Sequence, residues 1–141
     1  MKILAYILAS MALLQCTPKA TSIEGNWVWT YESSQGQKHK VHLYLSEGVD
    51  NFTTGYYCSS YGNGAKVDCS EENNQSIQLK KVANTSFQGS FRSSFSAEKG
   101  VLRIRKTSQE AIYVDIKQEP AGEFYFPDEV VFKKVGTMKN N

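Results

Sequence analysis

Histidine, cysteine and proline are scarce in this chain, and helical periodicity is nearly missing from it. Each lack narrows what the protein can do. His39 and His42 are the only two histidines, three residues apart. On a strand that spacing sends them to opposite faces, so they do not converge on a metal. No Gly-x-Ser-x-Gly occurs, and Asp50, Asp68, Asp115 and Asp128 are scattered over different segments without a paired-carboxylate pattern. The glycines fall where turns are expected rather than ahead of a helix, which leaves no phosphate cradle. With no nucleophile beside a base, a catalytic signature is lacking, and the expectation is a protein that is not an enzyme and takes no metal or cofactor. Charge is nearly balanced, 16 Lys and Arg against 14 Asp and Glu, without the clustered basic face that nucleic acid requires.

What the chain does have begins at its first residue. Met1-Lys2 supplies a positive start, and Ile3 to Leu14 is an uncharged apolar run of twelve. Such a run is too short to cross a hydrocarbon core of roughly 30 Å as a helix and fits the apolar region of a signal peptide. It ends in Leu13-Leu14-Gln15-Cys16, which resembles a bacterial lipobox, where the cysteine is acylated and becomes the first residue. Thr17, and no acidic residue, follows it. That resembles the pattern sorted to the outer membrane, so the expected location is the bacterial envelope, facing the periplasm, with the membrane engaged through the lipid. If Cys16 is lipidated, Cys58 and Cys69 remain as an even pair in an oxidising compartment. The expected organisation is a leader and anchor over 1–16, a tether over 17–23, one β domain over 24–135 and a flexible tail over 136–141.

Alternation with a period of two dominates the domain. Trp27, Trp29 and Tyr31 share one face, as do Val41, Leu43 and Leu45 of the next run, and Ile112, Val114 and Ile116 alternate cleanly further on. Asn63-Gly64 stands between two β-like runs and is a strong hairpin signal. Pairing outward from it sets residue i opposite 127 − i, which brings Cys58 opposite Cys69 and predicts a disulfide between them. Phe87, Phe91 and Phe95 are spaced by four, which suits helix and strand alike. The glycine and serines among them decide for strand. Eight or nine strands at short intervals, with no room for crossover helices, predict an all-β antiparallel up-and-down meander closed into a barrel.

Aromatics are the remaining signal: eight Tyr, seven Phe and two Trp. They read either as sheet core or as the lining of a cavity or docking patch. The candidate lining residues are Trp27, Trp29 and Tyr31 on one strand and Phe87, Phe91 and Phe95 on another. Tyr56, Tyr57 and Tyr61, near the hairpin, are candidates for facing a partner.

Gly25-Asn26-Trp27, opening the first strand, resembles the Gly-x-Trp start of lipocalin-like barrels, where the tryptophan plugs one end. The wider layout is similar to that of small lipoproteins of Bacteroidota. The matching features are a leader ending in cysteine, an early Gly-x-Trp strand, Gly55-Tyr56-Tyr57 in mid-chain, and a closing Phe124-Tyr125-Phe126-Pro127-Asp128-Glu129-Val130-Val131 followed by Lys133-Lys134. The resemblance implies a lipocalin-like barrel and brings no activity with it. Two roles follow as expectations: an envelope lipoprotein binding a small apolar ligand in the barrel, or an immunity or inhibitor protein that docks on a protein partner. The first requires a calyx kept open by small inward residues such as Gly89 and Ser93. The second requires a filled core and an exposed aromatic or acidic patch.

Overall fold

The computed structural model describes residues 21–70 and 74–136. The leader and lipid anchor expected over 1–16 lie outside the described residues. The domain is all-β, with strands β1 (Gly25–Glu32), β2 (Lys38–Glu47), β3 (Phe52–Tyr61), β4 (Lys66–Cys69), β5 (Ile77–Ala83), β6 (Ser86–Phe91), β7 (Gly100–Lys106), β8 (Ala111–Gln118) and β9 (Val130–Val135). All pairings are antiparallel. Eight strands, β1-β2-β3-β5-β6-β7-β8-β9, form a ring that closes where Asn26, Trp27 and Val28 of β1 pair with Val135, Lys134 and Lys133 of β9. β4 is the ninth strand. It shares one edge of β3 with β5: Cys58–Tyr61 pair with β4 and Phe52–Gly55 with β5. Closure removes the exposed edges that an open meander would leave.

The interior is set by the alternation. Trp27, Val41, Leu43, Tyr57, Ile77, Leu79, Phe91, Leu102, Ile104, Ile112, Val114 and Phe132 point inward and are buried. Ile23 is also fully buried, and its carbonyl accepts the Trp27 indole N–H at 3.0 Å. The domain therefore begins one residue earlier than the tether 17–23 allowed, because the segment entering the barrel supplies part of the core. At Gly89 a Cβ would overlap the Gln78 carbonyl of β5. This small inward residue marks a close approach of two strands at a barrel corner and opens no calyx.

The Asn63-Gly64 hairpin has the expected register, with Cys58 opposite Cys69 and Tyr61 opposite Lys66. Its loop is longer than the minimal two residues: Gly62, Asn63 and Gly64 all have positive φ, at 59°, 57° and 89°. The Ser70 N–H donates to the Tyr57 carbonyl at 3.2 Å, so 57/70 is a hydrogen-bonded pair and 58/69 a non-hydrogen-bonded one, the closer kind. The disulfide Cys58–Cys69 joins it, with Cα atoms 4.0 Å apart, on the outer face of the sheet. Because the bridge spans a short loop, replacing both cysteines with serine is expected to lower stability by about 2–3 kcal/mol. Denaturant unfolding of the oxidised protein and the double variant checks this.

Candidate functional site at the plugged end of the barrel

One end of the barrel, where β1 ends and β2 begins, is closed by a plug rather than by strand side chains alone. The connection from β8 to β9 turns inward over it. Phe126 is buried, with its ring centroid 4.8 Å from Tyr57, 5.7 Å from Phe91 and 5.8 Å from Phe132. Phe124 adds an edge contact to Phe91. The loop before β7 meets the plug through a bridge between Ser96 and Gly122.

The plug is fastened by Asp68 of β4, which is fully buried. Its carboxylate accepts hydrogen bonds from the Tyr57 hydroxyl (2.7 Å), the Ser93 hydroxyl (2.8 Å), the Ser94 N–H (2.9 Å) and hydroxyl (2.8 Å), and the Tyr125 N–H (3.2 Å). Burial pushes this carboxyl upward, but the bonds from Tyr57, Ser93 and Ser94 outweigh it and hold Asp68 below the usual carboxylate range. Burial and the neighbouring Asp68 carboxylate raise the Tyr57 phenol, so it stays a donor. One carboxylate thus joins β4, the loop after β6 and the plug. It also fixes Tyr57 in the core, which removes that residue from the candidates for facing a partner. Ser93 is likewise buried and bonded to Asp68, so it leaves no opening in the barrel.

Beside this network His39 lies at the rim. Its Nε2 is 2.8 Å from the Ser59 hydroxyl and 3.1 Å from the Tyr125 carbonyl. Burial lowers its pKa, and the bond to Tyr125 partly opposes that. A serine against a histidine has the form of a nucleophile with its base. Here, however, Ser59 is fully buried under the plug and donates its proton to the Tyr125 carbonyl, so the pair secures the plug. His42 faces the other side of the strand and stacks near Tyr44, which itself stacks on Tyr56 at 4.6 Å.

Over the plugged end runs a continuous arc of rings. Tyr31 lies parallel to Trp29 (6.3 Å, 6°). His39 stands edge-on to Trp29 (4.9 Å) and to Tyr61 (5.1 Å). Tyr125 stacks near Tyr61 (5.7 Å), and Phe95 meets Tyr125 edge-on (5.7 Å). Tyr31, Tyr61 and Phe95 are 56%, 44% and 48% exposed. Lys66 sits 5.6 Å from the centre of the Tyr125 ring and 3.6 Å from the Glu123 carboxylate. A shallow recess of about 510 Å³ opens beside the arc, lined by Tyr31, Glu32, Lys38, His39, Ser60 and Asn63 among others. Asn63 holds its edge by accepting the Lys38 N–H at 3.0 Å.

The six aromatic residues expected, on two strand faces, as candidates for lining a ligand cavity are divided in the structure. Trp27, Phe87 and Phe91 are core, buried against other side chains. Trp29 is half-buried, while Tyr31 and Phe95 belong to the exposed arc. β6 stops at Phe91, and Phe95 lies in the following loop, so the three phenylalanines do not share one strand face. Spacing alone gave no sign that the 119–129 connection folds inward, bringing Tyr125 to the arc and Phe126 to the core. Comparison with known proteins returns no matching family, no matching curated protein and no matching solved structure.

Proposed function

We propose that this chain is a non-catalytic envelope lipoprotein, held by a lipid on Cys16, that docks on a protein partner through the aromatic arc at the plugged end of its barrel. The observation that carries the reading is the contrast between the two sets of rings. The interior is filled by Trp27, Tyr57, Phe91, Phe126 and Phe132, whereas Tyr31, Tyr61 and Phe95 are held exposed on a frame fixed by Asp68 and the plug. Exposed aromatics on a rigid support give large contact area at low entropic cost, the chemistry of interface hot spots. A mixed rim of Glu32, Lys38, Lys66 and Glu123 surrounds them. A small apolar ligand inside the barrel has less support, because these side chains occupy the axis.

Photo-crosslinking from the arc tests this. A benzophenone amino acid at Tyr31 or Phe95 in cells is expected to trap one discrete envelope protein, and the same probe at Tyr113, on the barrel wall, is not. Tyr61→Ala is expected to abolish that crosslink while leaving the melting temperature within a few degrees, because exposed substitutions cost roughly 0.5 kcal/mol or less. Equal trapping from Tyr113, or no crosslinked protein from the arc, would overturn the docking surface.

A further inference from the structure

The other end of the barrel is where the chain enters β1, and its loops have a different chemistry. Val49, in the β2–β3 connection, is 80% exposed, Phe52 at the start of β3 is 47% exposed, and Val82 near the β5–β6 turn is 58% exposed. These three are not scattered. Phe52 pairs with Lys80 across the sheet, and the Lys81 N–H donates to the Asn51 carbonyl at 3.2 Å, so the two hairpins carry one apolar rim. Lysines stand beside it: the Lys80 ammonium lies 6.0 Å from the centroid of the exposed Phe52 ring, and the Lys81 ammonium lies 5.9 Å from that of Phe87, a core ring beneath the rim. Lys134 stands 5.3 Å from the Trp27 centroid at the same end. Glu47 and Asp50 lie nearby, so the surface is amphipathic with cations over the apolar groups rather than uniformly basic.

We infer that this end of the barrel rests on a phospholipid bilayer, with Val49, Phe52 and Val82 reaching the headgroup–acyl boundary and Lys80 and Lys81 meeting lipid phosphates. The inference rests on the lipoprotein reading above. Cys16 precedes Thr21, the first described residue, by five positions, a reach of about 17 Å when fully extended. An acylated Cys16 therefore keeps this end, and not the opposite one, against the membrane. Short apolar side chains with lysines snorkelling above them suit the interface, where apolar groups sink by roughly 5–10 Å. The aromatic arc, at the opposite end, is then held away from the lipid and presented to the periplasm.

Tryptophan reporters in the full-length, export-processed protein test this. Val49→Trp, Val82→Trp and, as a control, Tyr31→Trp are each bound to vesicles of phosphatidylcholine with a third of brominated phosphatidylglycerol. At a depth of roughly 5–10 Å, the added emission at 49 and 82 is expected to fall by about half, while that at 31 is unchanged. Lys80→Glu with Lys81→Glu is expected to lower the quenching severalfold, since each basic residue near an anionic surface raises affinity by roughly fivefold. Absence of quenching at 49 and 82, or equal quenching at 31, would overturn the contact. Flotation of the unsubstituted protein with pure phosphatidylcholine reports the anchor separately: failure to float refutes the lipid on Cys16, whereas flotation without quenching refutes only the resting surface.

Discussion

Phe126→Ala is expected to destabilise the domain by about 4 kcal/mol, the cost of removing a buried phenylalanine and leaving a cavity. The effect should be large because nothing nearby can collapse into the space. Tyr57, Phe91 and Phe132 surround the ring, and each is fixed by its strand. Phe95→Ala, by contrast, removes a ring that is half in water and should change stability by about 0.5 kcal/mol or less. Chemical denaturation of the two variants separates plug from surface. Equal losses would mean that the plug adds little to the core.

Asp68→Asn is expected to cost about 3 kcal/mol, although the two side chains have almost the same shape. The carboxylate is an acceptor for five donors divided between its two oxygens. An amide nitrogen in place of either oxygen confronts two or three of them with another donor, and each buried donor left without a partner costs roughly 1–3 kcal/mol. The pH dependence provides a second, independent readout. Because the folded pKa is depressed, the ionised carboxylate contributes its stability fully above the unfolded pKa of about 3.9. That contribution is lost as pH falls from there through the lower folded value. The native protein should therefore lose more stability on acidification than Asp68→Asn, whose amide does not titrate. Parallel stability–pH curves between neutral and acid conditions would show that the bonds to Asp68 carry little of the fold.

The difference between these residues and their neighbours shows what a linear chain reveals. Trp27, Val41, Leu43 and Ile112 were readable because burial on a strand repeats every second residue. The Cys58–Cys69 pair was readable because a hairpin fixes its own register from the turn outward. Phe126 and Asp68 carry no such mark. A plug is a loop, and a loop has no period to show which way its side chains turn. Asp68 alternates correctly for an inward residue, but its charge argues for the surface until Tyr57, Ser93, Ser94 and Tyr125 are known to converge on it from three separate segments. Tyr57 was misplaced for the same reason, and Phe95 because its strand ends four residues before it. The arc draws its rings from β1, β2, β3 and two loops, so only the closed barrel assembles it.

The pairing of β1 with β9 also has a consequence in time. Apart from β3–β5, which reaches across the short β4, every other ladder in the ring joins strands consecutive in sequence, and such local hairpins form early at small entropic cost. β1 must wait for the last strand of the domain. A chain delivered from its N-terminus therefore holds Trp27 and the free edge of β1 unprotected until Lys133, Lys134 and Val135 have emerged. Throughout that interval the nascent protein is a sheet with a sticky margin, the form most prone to pairing with a stranger, and completion of the final six-residue strand ends it.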